Sequence, residues 1–351
     1  MSGASPLRVG VIGLGFMGAT HVRAYLRAER AGVCRLVAVC DRNPQRTERL
    51  GATGGNLDPD VGAGETADLR SVRRYTDAAA LLADAEVDAV SVCTHTPTHV
   101  ELSIAAVRAG KHVLVEKPVA IRSAEVGRLI AAVAGSGRVV MPAMCMRFWP
   151  GWTWLKERVA DGSYGRVQSA VFRRLGSAPT WAPEFYGDAG QTGGVMFDLH
   201  LHDADFIRWC FGDPEAVCSA GDGDHVTTLY RYKRGPAHVV AEAGWRHAPG
   251  FGFRMQYVVR FETATAEFDL SKSPPLTLHR NGGQEAINLP DEGGYDGEVR
   301  HFIGAVRSST SPVCTLEDAR VVTRLLEAEV ESLRGNVVIK TLPQDHQGGA
   351  K

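Results

Sequence analysis

The sequence has neither a large net charge nor a long hydrophobic run. Its 351 residues include 39 basic and 40 acidic side chains, giving a formal net charge of -1 at pH 7. This balance provides no electrostatic attraction to nucleic acid or to an anionic membrane. No apolar stretch approaches the roughly 20 residues of a membrane span, and residues 1–13 do not resemble a signal peptide. We therefore expect a cytoplasmic protein with no nucleic-acid or membrane partner.

Cysteine is scarce and scattered. The seven cysteines are Cys34, Cys40, Cys93, Cys145, Cys210, Cys218 and Cys314. Their odd number and the absence of a CxxC pair argue against a disulfide frame or a zinc site, and favour reduced, mostly buried thiols. Cys145, which is near a predicted site, is interpreted as a core residue.

Strand and helix patterns alternate in the first half of the chain. Apolar strand patterns occupy 7–13, 35–41, 87–94, 112–118 and 139–148. Alternation of this kind predicts an α/β domain with a doubly wound parallel sheet, the Rossmann arrangement, and right-handed crossovers. We assign this domain to residues 1–148. The Gly-, Asp- and Ala-rich segment 51–70 has no clear period and is predicted to be a surface loop.

The second half contains strand-like runs in which apolar and polar residues alternate. These are VQSAVFRRL, VTTLYRY, AHVVAEAGW, MQYVVRFE, TAEFDL and LTLH. Alternation predicts a sheet with one covered face. One helix is predicted from Val195 to Phe211, and a last one runs from after Pro312 to Leu333. We assign a second α/β domain to 149–342, with 343–351 as a disordered tail.

A glycine motif of the form GxGxxG joins the first strand to the first helix. Gly13, Gly15 and Gly18 enclose Phe16 and Met17. In this context the first glycine permits a tight turn, the second lets the backbone approach a diphosphate, and the third lets the helix pack closely. The diphosphate then binds N–H groups at the helix start. The motif predicts a dinucleotide cofactor.

Asp41 ends the second strand, close to the spacing expected of a ribose-binding acid. A 2′-phosphate would bring further negative charge beside this carboxylate. Two unit charges at ~4 Å repel by roughly 4 kcal/mol at an effective dielectric near 20. Asp41 therefore favours NAD over NADP, although Arg42 could pair with such a phosphate.

The turn after the third usable strand reads CTHTPTH at 93–99. We expect it to lie along the cofactor, with Thr94, Thr96 and Pro97 near the ribose or nicotinamide. His95 and His99 are either catalytic or solvated histidines of the turn.

A charged pair precedes a proline in AGKHVLVEKP at 109–118. Ligands of doubly wound sheets bind beyond the carboxyl ends of the strands, where Lys117 follows the apolar run HVLV. Pro118 ends the strand and restricts the backbone of Lys117. The alternative is an exposed Glu–Lys pair in a turn.

A second chemical motif is GGVMFDLHLHD at 193–203. Asp198 and His202 are four residues apart, so on a helix they share a face. Histidine suits the removal of a hydroxyl proton at neutral pH, and Asp198 could orient the imidazole or bind a substrate hydroxyl. Lys117 could stabilise the developing alkoxide. His200 does not share that face, which argues against a metal site, while a structural Asp198–His202 ion pair stays open.

Together these motifs resemble the Gfo/Idh/MocA oxidoreductase family, which includes glucose-fructose oxidoreductase and inositol dehydrogenases. The resemblance rests on GLGFMG (13–18), TPTH (96–99), AGKHVLVEKP (109–118), Arg147–Phe148 and GGVMFDLHLHD (193–203), and it extends through YDGEVRHFIGAV (295–306) and the final helix. It implies an N-terminal Rossmann domain and a C-terminal α/β domain with a large open-faced, mostly antiparallel sheet. Such a sheet often forms the oligomer interface, hence a homodimer or homotetramer.

The resemblance also implies roles for individual residues. Lys117, Asp198 and His202 correspond to the catalytic residues, and the bond between Lys117 and Pro118 is expected to be cis. Arg147, Trp181 and Tyr186 are expected to join them at the substrate. The expected cofactor contacts are Gly13, Gly15, Phe16, Met17, Gly18, Asp41, Arg42, Thr94, Thr96, Pro97, His99, Glu116 and Lys117. No metal is expected.

The leading functional hypothesis is a dehydrogenase that transfers a hydride between a sugar or cyclic polyol hydroxyl and NAD, or less favourably NADP. Lys117 and His202 would handle the proton and the oxyanion. One alternative is an NAD-dependent glycosidase that labilises its bond by transient oxidation. Another is a non-catalytic, cofactor-binding sensor, and fold resemblance does not choose the substrate.

Overall fold

The computed structural model describes residues 5–48, 50, 69, 71–177 and 188–341. The predicted loop at 51–70, apart from Leu69, and the predicted tail at 343–351 lie outside the described residues. Within the described part of the chain, no helix is both long and apolar enough to cross a membrane.

The first sheet consists of six parallel strands. They are Leu7–Ile12 (β1), Cys34–Cys40 (β2), Arg73–Tyr75 (β3), Ala89–Val92 (β4), His112–Val115 (β5) and Val140–Pro142 (β6). The helices among them are Phe16–Arg30 (α1), Pro44–Glu48 (α2), Ala78–Leu82 (α3), His99–Arg108 (α4) and Ser123–Val133 (α5). The strand order β3-β2-β1-β4-β5-β6 reverses direction between β1 and β4. This is the doubly wound topology that the sequence predicts, with its ligand crevice at the reversal.

A nine-stranded sheet forms the second layer. Its strands are Val167–Leu175 (β7), Ala216–Gly221 (β8), His225–Arg231 (β9), His238–Gly244 (β10), Arg254–Phe261 (β11), Thr265–Asp269 (β12), Leu276–Arg280 (β13), Gly283–Ala286 (β14) and Ile339–Lys340 (β15). The order is β14-β13-β12-β11-β7-β10-β9-β8-β15. Only the central pair β7–β10 is parallel. The predicted mostly antiparallel sheet is confirmed.

Among the described residues, five helices accompany the second sheet. They are Pro150–Asp161 (α6), Ala189–Thr192 (α7), Leu201–Phe211 (α8), Gly294–Ser308 (α9) and Leu316–Gly335 (α10). Against the covered face, the ring of Trp152 on α6 is fully buried and meets those of Phe206, Tyr257 and Phe268 edge-on. These aromatic contacts stabilise the packing of α6 and α8 against β11 and β12.

The other face of this sheet carries a row of apolar side chains. Val258 on β11 faces Val171 on β7, which faces Val240 on β10, and the row continues through Leu229 to Cys218. Each of these residues is at least partly exposed, and Val258 is 47% exposed. The described residues therefore leave an apolar stripe uncovered across five strands.

The last two long helices pack against the first sheet as well as the second. Val299, Phe302 and Ile303 of α9 share one core with Val9 and Val11 of β1. Helix α10 begins with a capping box, in which the Thr315 hydroxyl accepts the N–H of Asp318. The domain limits 1–148 and 149–342 stay predictions, since both helices contribute to the core of the first sheet.

Some predicted elements differ from the observed ones. The strand predicted at 139–148 ends at Pro142, since proline has no N–H to extend the ladder, and Cys145–Phe148 form a 3₁₀ turn. The helix predicted from Val195 begins as a π-helical turn at Met196–His200. Helix α9 was not predicted as a separate element.

Arg147 joins three parts of the chain inside the protein. Its guanidinium donates to both carboxylate oxygens of Asp205 on α8, at 2.9 and 2.6 Å, and to Asp318 of α10 at 3.2 Å. It also donates to the carbonyl oxygen of Val313. Arg147 is 2% exposed and Asp205 is 1% exposed. The 3₁₀ turn that carries Arg147 is thereby anchored to two helices.

We expect Arg147→Met to destabilise the fold strongly. The substitution leaves the Asp205 carboxylate buried without its cation, a change that costs about 3–5 kcal/mol. Urea denaturation would measure the loss of unfolding free energy. The matched control is Arg128→Met, whose half-exposed side chain pairs with Glu101 and Glu125. That variant should unfold near the wild-type midpoint, and equal losses in both variants would contradict the structural role of Arg147.

Candidate active site at the carboxyl edge of the parallel sheet

Three glycines at the junction of β1 and α1, the last of them in the first turn of the helix, leave room for a diphosphate. Gly13 has a φ of +87°, and a Cβ there would lie 2.6 Å from the carbonyl oxygen of Cys93. A Cβ on Gly18 would lie 1.8 Å from the carbonyl oxygen of Gly13, whereas one on Gly15 would meet no described atom within 4 Å. Gly13 and Gly18 therefore close the turn, and Gly15 faces open space beside the start of α1. The partial positive charge of that helix start fits a dinucleotide diphosphate.

The Asp41 carboxylate is fixed beside this glycine loop. Oδ2 accepts the N–H of Leu14 at 2.8 Å, and Oδ1 accepts the N–H of Asn43 at 2.9 Å. Each carboxylate oxygen can accept a further hydrogen bond, so the group can still bind ribose hydroxyls. Arg42 is exposed, and Arg46 approaches Asp41 to 3.6 Å.

The turn after β4 lies next to the glycine loop. The hydroxyls of Thr94 and Thr98 are 2.7 Å apart, and Thr96–Thr98 form a 3₁₀ turn. Thr96 is buried, whereas Pro97 is exposed. A Cβ on Gly13 would touch the methyl group of Thr94 at 3.0 Å. Of the predicted cofactor residues in this turn, Thr94 thus borders the glycine loop, and Thr96 and Pro97 follow it in the 3₁₀ turn.

His99 is a buried bridge between two turns. Its Nδ1 lies 2.9 Å from the carbonyl oxygen of Pro118, and its Nε2 lies 2.9 Å from that of Thr94. His99 is 1% exposed, and this burial lowers its pKa. The interpretation of His99 as a solvated turn residue is therefore wrong, and its ring nitrogens are occupied by protein carbonyls instead of cofactor. His95 is exposed.

Behind Lys117, Glu116 turns into the interior. Its Oε1 lies 3.0 Å from Nε2 of His21 on α1, and its Oε2 accepts the backbone N–H of Lys117 at 3.0 Å. Glu116 is 4% exposed. The prediction that the Glu116 side chain contacts the cofactor is therefore wrong. Its carboxylate faces the interior and holds the backbone N–H of Lys117.

A second buried carboxylate, Glu298 of α9, shares this cluster with Glu116. It lies 3.8 Å from His21 Nε2 and is fully buried. Burial and the charge of Glu116 raise the pKa of Glu298 far above its ordinary value. For Glu116, burial alone would raise the pKa, but the hydrogen bond from His21 and the charge of Lys117 bring it below its ordinary value. The two pKa shifts have opposite directions, so a negative charge in this cluster is favoured on Glu116 and a proton on Glu298.

The Lys117 side chain crosses from the first domain to the π-helical turn. Its Nζ donates to Oδ1 of Asp198 at 2.9 Å and to the carbonyl oxygen of Asp198 at 2.8 Å. The two side chains are 14% and 20% exposed. An ammonium has three donors, and these bonds use two of them. The predicted cis bond between Lys117 and Pro118 is confirmed.

Two left-handed glycines open the π-helical turn that carries Asp198. Gly193 and Gly194 have φ values of +77° and +69°, and a Cβ on Gly193 would lie 2.6 Å from the side chain of Phe197. The N–H of Leu201 then reaches back five residues to the carbonyl oxygen of Met196. Such wide turns recur at functional sites, where they re-aim side chains.

His202 is buried beside a thiol. It is 4% exposed, and its Nδ1 lies 3.9 Å from Sγ of Cys145. Burial, with the positive charges of Lys117 and Arg174, lowers the pKa of His202 well below its ordinary value. No described hydrogen bond joins Asp198 to His202, so the structural ion pair considered from the sequence does not form. His202 is an unprotonated base at neutral pH.

His200 belongs to a different buried network. Its Nε2 lies 2.7 Å from Glu329 of α10 and 3.0 Å from the hydroxyl of Tyr230. Asp198, His200 and His202 thus have three different sets of partners, so they do not converge on one ligand position. The His200 network holds the π-helical turn against α10.

The three predicted substrate residues outside this trio have different outcomes. Trp181 and Tyr186 lie outside the described residues, so their role stays a prediction. The prediction that Arg147 contacts the substrate is wrong. Its guanidinium is buried and donates its hydrogen bonds to Asp205, Asp318 and a backbone carbonyl group. The remaining predicted cofactor residues, Phe16 and Met17, form the first turn of α1, and Met17 packs against the core of the second sheet.

Sequence reasoning missed His21 and Glu298. The interpretation of Cys145 as a core residue is confirmed, and its thiol in addition lies against His202. His21 lies one turn beyond Gly18 in a helix that reads as an ordinary packing element. Glu298 comes from a part of the chain far from Glu116. In the sequence, both residues are polar side chains on the apolar face of a helix. Their role can be recognised only once the structure shows that they face Glu116.

Comparison with known proteins agrees with this geometry. Residues 7–144 match a family described as "Oxidoreductase family, NAD-binding Rossmann fold", and residues 152–267 match the "GFO/IDH/MocA C-terminal domain". The chain resembles levoglucosan dehydrogenase, solved in complex with NADH and levoglucosan, with a TM-score of 0.79 and 21% identity over 95% of this chain and 99% of that one. At this identity the likeness establishes the fold.

Two sequence relatives extend over nearly the whole chain. Inositol 2-dehydrogenase of Pseudomonas fluorescens is 30% identical, covering 96% of this chain and 98% of the relative. Myo-inositol 2-dehydrogenase of Thermotoga maritima is 27% identical, covering 95% and 98%. With the matches to both domains, these similarities show that the chain belongs to the Gfo/Idh/MocA family of NAD-binding oxidoreductases.

Proposed function

We propose that this oxidoreductase is an NAD-dependent dehydrogenase that acts on a secondary hydroxyl of a sugar or inositol-like polyol. The observation that carries the proposal is the placement of Lys117. Its ammonium is held by Asp198 at the carboxyl edge of the parallel sheet, in the same region as the unprotonated base His202. The names of the two inositol dehydrogenase relatives support the substrate class.

The cofactor position rests on the glycine loop and Asp41. The open space at Gly15 and the start of α1 suit the diphosphate. Asp41 suits a ribose with unmodified hydroxyls and disfavours a 2′-phosphate, which supports NAD over NADP. When bound, NAD supplies the acceptor for the hydride. Thr94, Thr96 and Pro97, at the neighbouring turn, are proposed to border it.

In the proposed oxidation, each residue of the trio has a separate role. The third N–H of Lys117 donates to the reacting hydroxyl oxygen and stabilises the negative charge that develops there. His202 accepts the hydroxyl proton, since its lowered pKa keeps it unprotonated. Asp198 holds Lys117 in place and can accept a hydrogen bond from a neighbouring hydroxyl. In the reverse direction the proton returns from His202.

Assembly through the open sheet face completes the proposal. The apolar row from Val258 to Cys218 crosses five strands, and a second copy of the chain presenting the same row would cover it. A homodimer or homotetramer follows. The seven cysteines are free thiols and six are buried, which supports the proposed reducing, cytoplasmic location.

Lys117→Met should strongly reduce turnover while preserving NAD binding. The loss removes the donor to the developing alkoxide, and kcat/KM should fall by about 10²–10³-fold. The measurement is NADH absorbance with NAD or NADP and a panel of inositols, aldoses, amino sugars and sugar acids, with calorimetry for NAD binding. The exposed Lys272→Met is the control and should retain full activity. Full rates in Lys117→Met would refute the proposed mechanism.

If the wild-type protein gives no NADH signal with any compound of this panel, two further measurements distinguish the alternatives. With tight NAD binding, turnover of aryl glycosides without net NADH would indicate the glycosidase reaction. Binding without any turnover would indicate a sensor.

The acid limb of the pH profile should reflect His202. A base with a lowered pKa remains unprotonated until the pH falls well below 6.5, so kcat/KM should stay level through that value and decline only at more acidic pH. His202→Gln should lower the rate and remove this limb. His95→Gln, which replaces an exposed histidine, should retain it. A limb centred near pH 6.5, or one unchanged in His202→Gln, would count against His202 as the base.

Val258→Glu should dissociate the oligomer, because it places a carboxylate at the most exposed position of the apolar row, its β11 end. Sedimentation velocity would show the change to smaller species. The control, Val337→Glu, replaces a valine that is 49% exposed elsewhere and should leave assembly intact. If Val258→Glu sediments like the wild type, the open face is not the interface.

A further inference from the structure

A cleft of about 360 Å³ opens at the opposite edge of the parallel sheet from the glycine loop. Its lining comes from both domains and includes His112, Arg138, Ser309, Thr310, Ser311 and Thr315. His112 begins β5, whereas Lys117 follows its end. The length of the strand separates the two by roughly 15 Å. The cleft is therefore a different site from the proposed active site.

Two side-chain donors meet in this cleft without an acceptor between them. The backbone N–H of Val139 donates to Nδ1 of His112 at 2.9 Å. Nδ1 therefore carries no proton, and the neutral ring must carry its proton on Nε2. Arg138 Nη1 lies 3.3 Å from that Nε2. Because both groups are donors, this contact is not a hydrogen bond. Arg138 is exposed, so both N–H groups are open to water or to the oxygen atoms of a ligand.

The charges around the cleft do not supply such an oxygen. Among the described residues, Arg138 has no ion-pair partner within 4.0 Å. Asp88, the carboxylate that acts on His112, is held by two bonds from Arg8, at 2.9 and 2.7 Å. Burial and the charge of Arg138 lower the pKa of His112, against the opposing effect of Asp88. The cleft therefore carries a net positive charge beside a neutral N–H donor.

Hydroxyl groups line the opposite wall. Ser309, Thr310 and Ser311 form the connection between α9 and α10, and Ser311 is exposed. The hydroxyl of Thr315 already caps α10. The start of α10 is thus satisfied by its own capping box, and the donors that distinguish this cleft are the side chains of Arg138 and His112 with these hydroxyls.

We propose that this cleft is a second ligand site, which binds an oxyanion between Arg138 and His112. A phosphate or carboxylate group offers only acceptor oxygens. One oxygen can take the Nε2–H of His112 while another takes the guanidinium of Arg138 in a charge-assisted bond. The volume is that of a small-metabolite pocket, so the oxyanion can be inorganic phosphate or the acidic group of a larger molecule.

Ligand binding here would tie the two domains together. Arg138 and His112 belong to the α5–β6 connection and to β5, whereas the hydroxyls belong to the α9–α10 connection. An anion that binds only the folded state stabilises it by an amount that rises with the logarithm of its concentration above the Kd.

The test is nuclear magnetic resonance of the histidine side chains in protein saturated with NAD, so that the glycine loop cannot take up the added anion. The His112 signal is identified by its loss in His112→Asn, whose side-chain oxygen can still accept the N–H of Val139. Inorganic phosphate and acetate are titrated separately. We expect a saturable shift of the His112 signal and a raised His112 pKa, since a neighbouring anion favours the imidazolium.

Variants connect the shift to the cleft. Arg138→Gln should weaken phosphate binding by about tenfold or more, as expected for the loss of a charge-assisted bond. Arg35→Gln, which removes an exposed arginine of β2, should bind like the wild type. Saturation by phosphate alone identifies a phosphate site, and saturation by both identifies a general oxyanion site. No saturable His112 shift with either anion, or equal binding by Arg138→Gln and the wild type, would overturn the proposal.

Discussion

The contact between Lys117 and Asp198 is the interaction on which the arrangement of the site depends. One partner follows the end of a strand in the first sheet, and the other lies in a π-helical turn of the second domain. The pair is mostly shielded from solvent, so its attraction is screened less than that of a surface pair. It sets the position of the ammonium and, through the same turn, that of the helix that carries His202.

Behind this pair, two buried carboxyl groups face one imidazole. Glu116 and Glu298 both lie close to His21. Two like charges in a buried setting disfavour each other, and here the pKa of Glu116 is lowered while that of Glu298 is raised. Glu116, on which the negative charge is favoured, is also the group that accepts the backbone N–H of Lys117. The position of the lysine thus rests on a buried carboxylate that His21 supports.

Local patterns predicted the parallel sheet, the glycine loop and the placement of Lys117 well, because each depends on residues close together in sequence. The errors concern residues whose partners are distant. Arg147 sits in a motif that suggested substrate binding, yet its partners are on α8 and α10. His99 was expected at the cofactor or in solvent, but it is buried, and its ring contacts the carbonyl oxygen of Pro118 in the turn after β5. The π-helical turn depends on two glycines whose left-handed conformation the helical spacing of the motif did not reveal.

The shared core of β1 and the last helices has a consequence for synthesis on the ribosome. Val9 and Val11 pack in one cluster with Phe302 of α9 and Leu326 of α10. At about 5–20 residues per second, those helices emerge on the order of 10–40 seconds after the last strand of the first sheet. Until then the nascent first domain exposes apolar surface that its own residues cannot cover. Chaperone engagement is therefore expected during this interval.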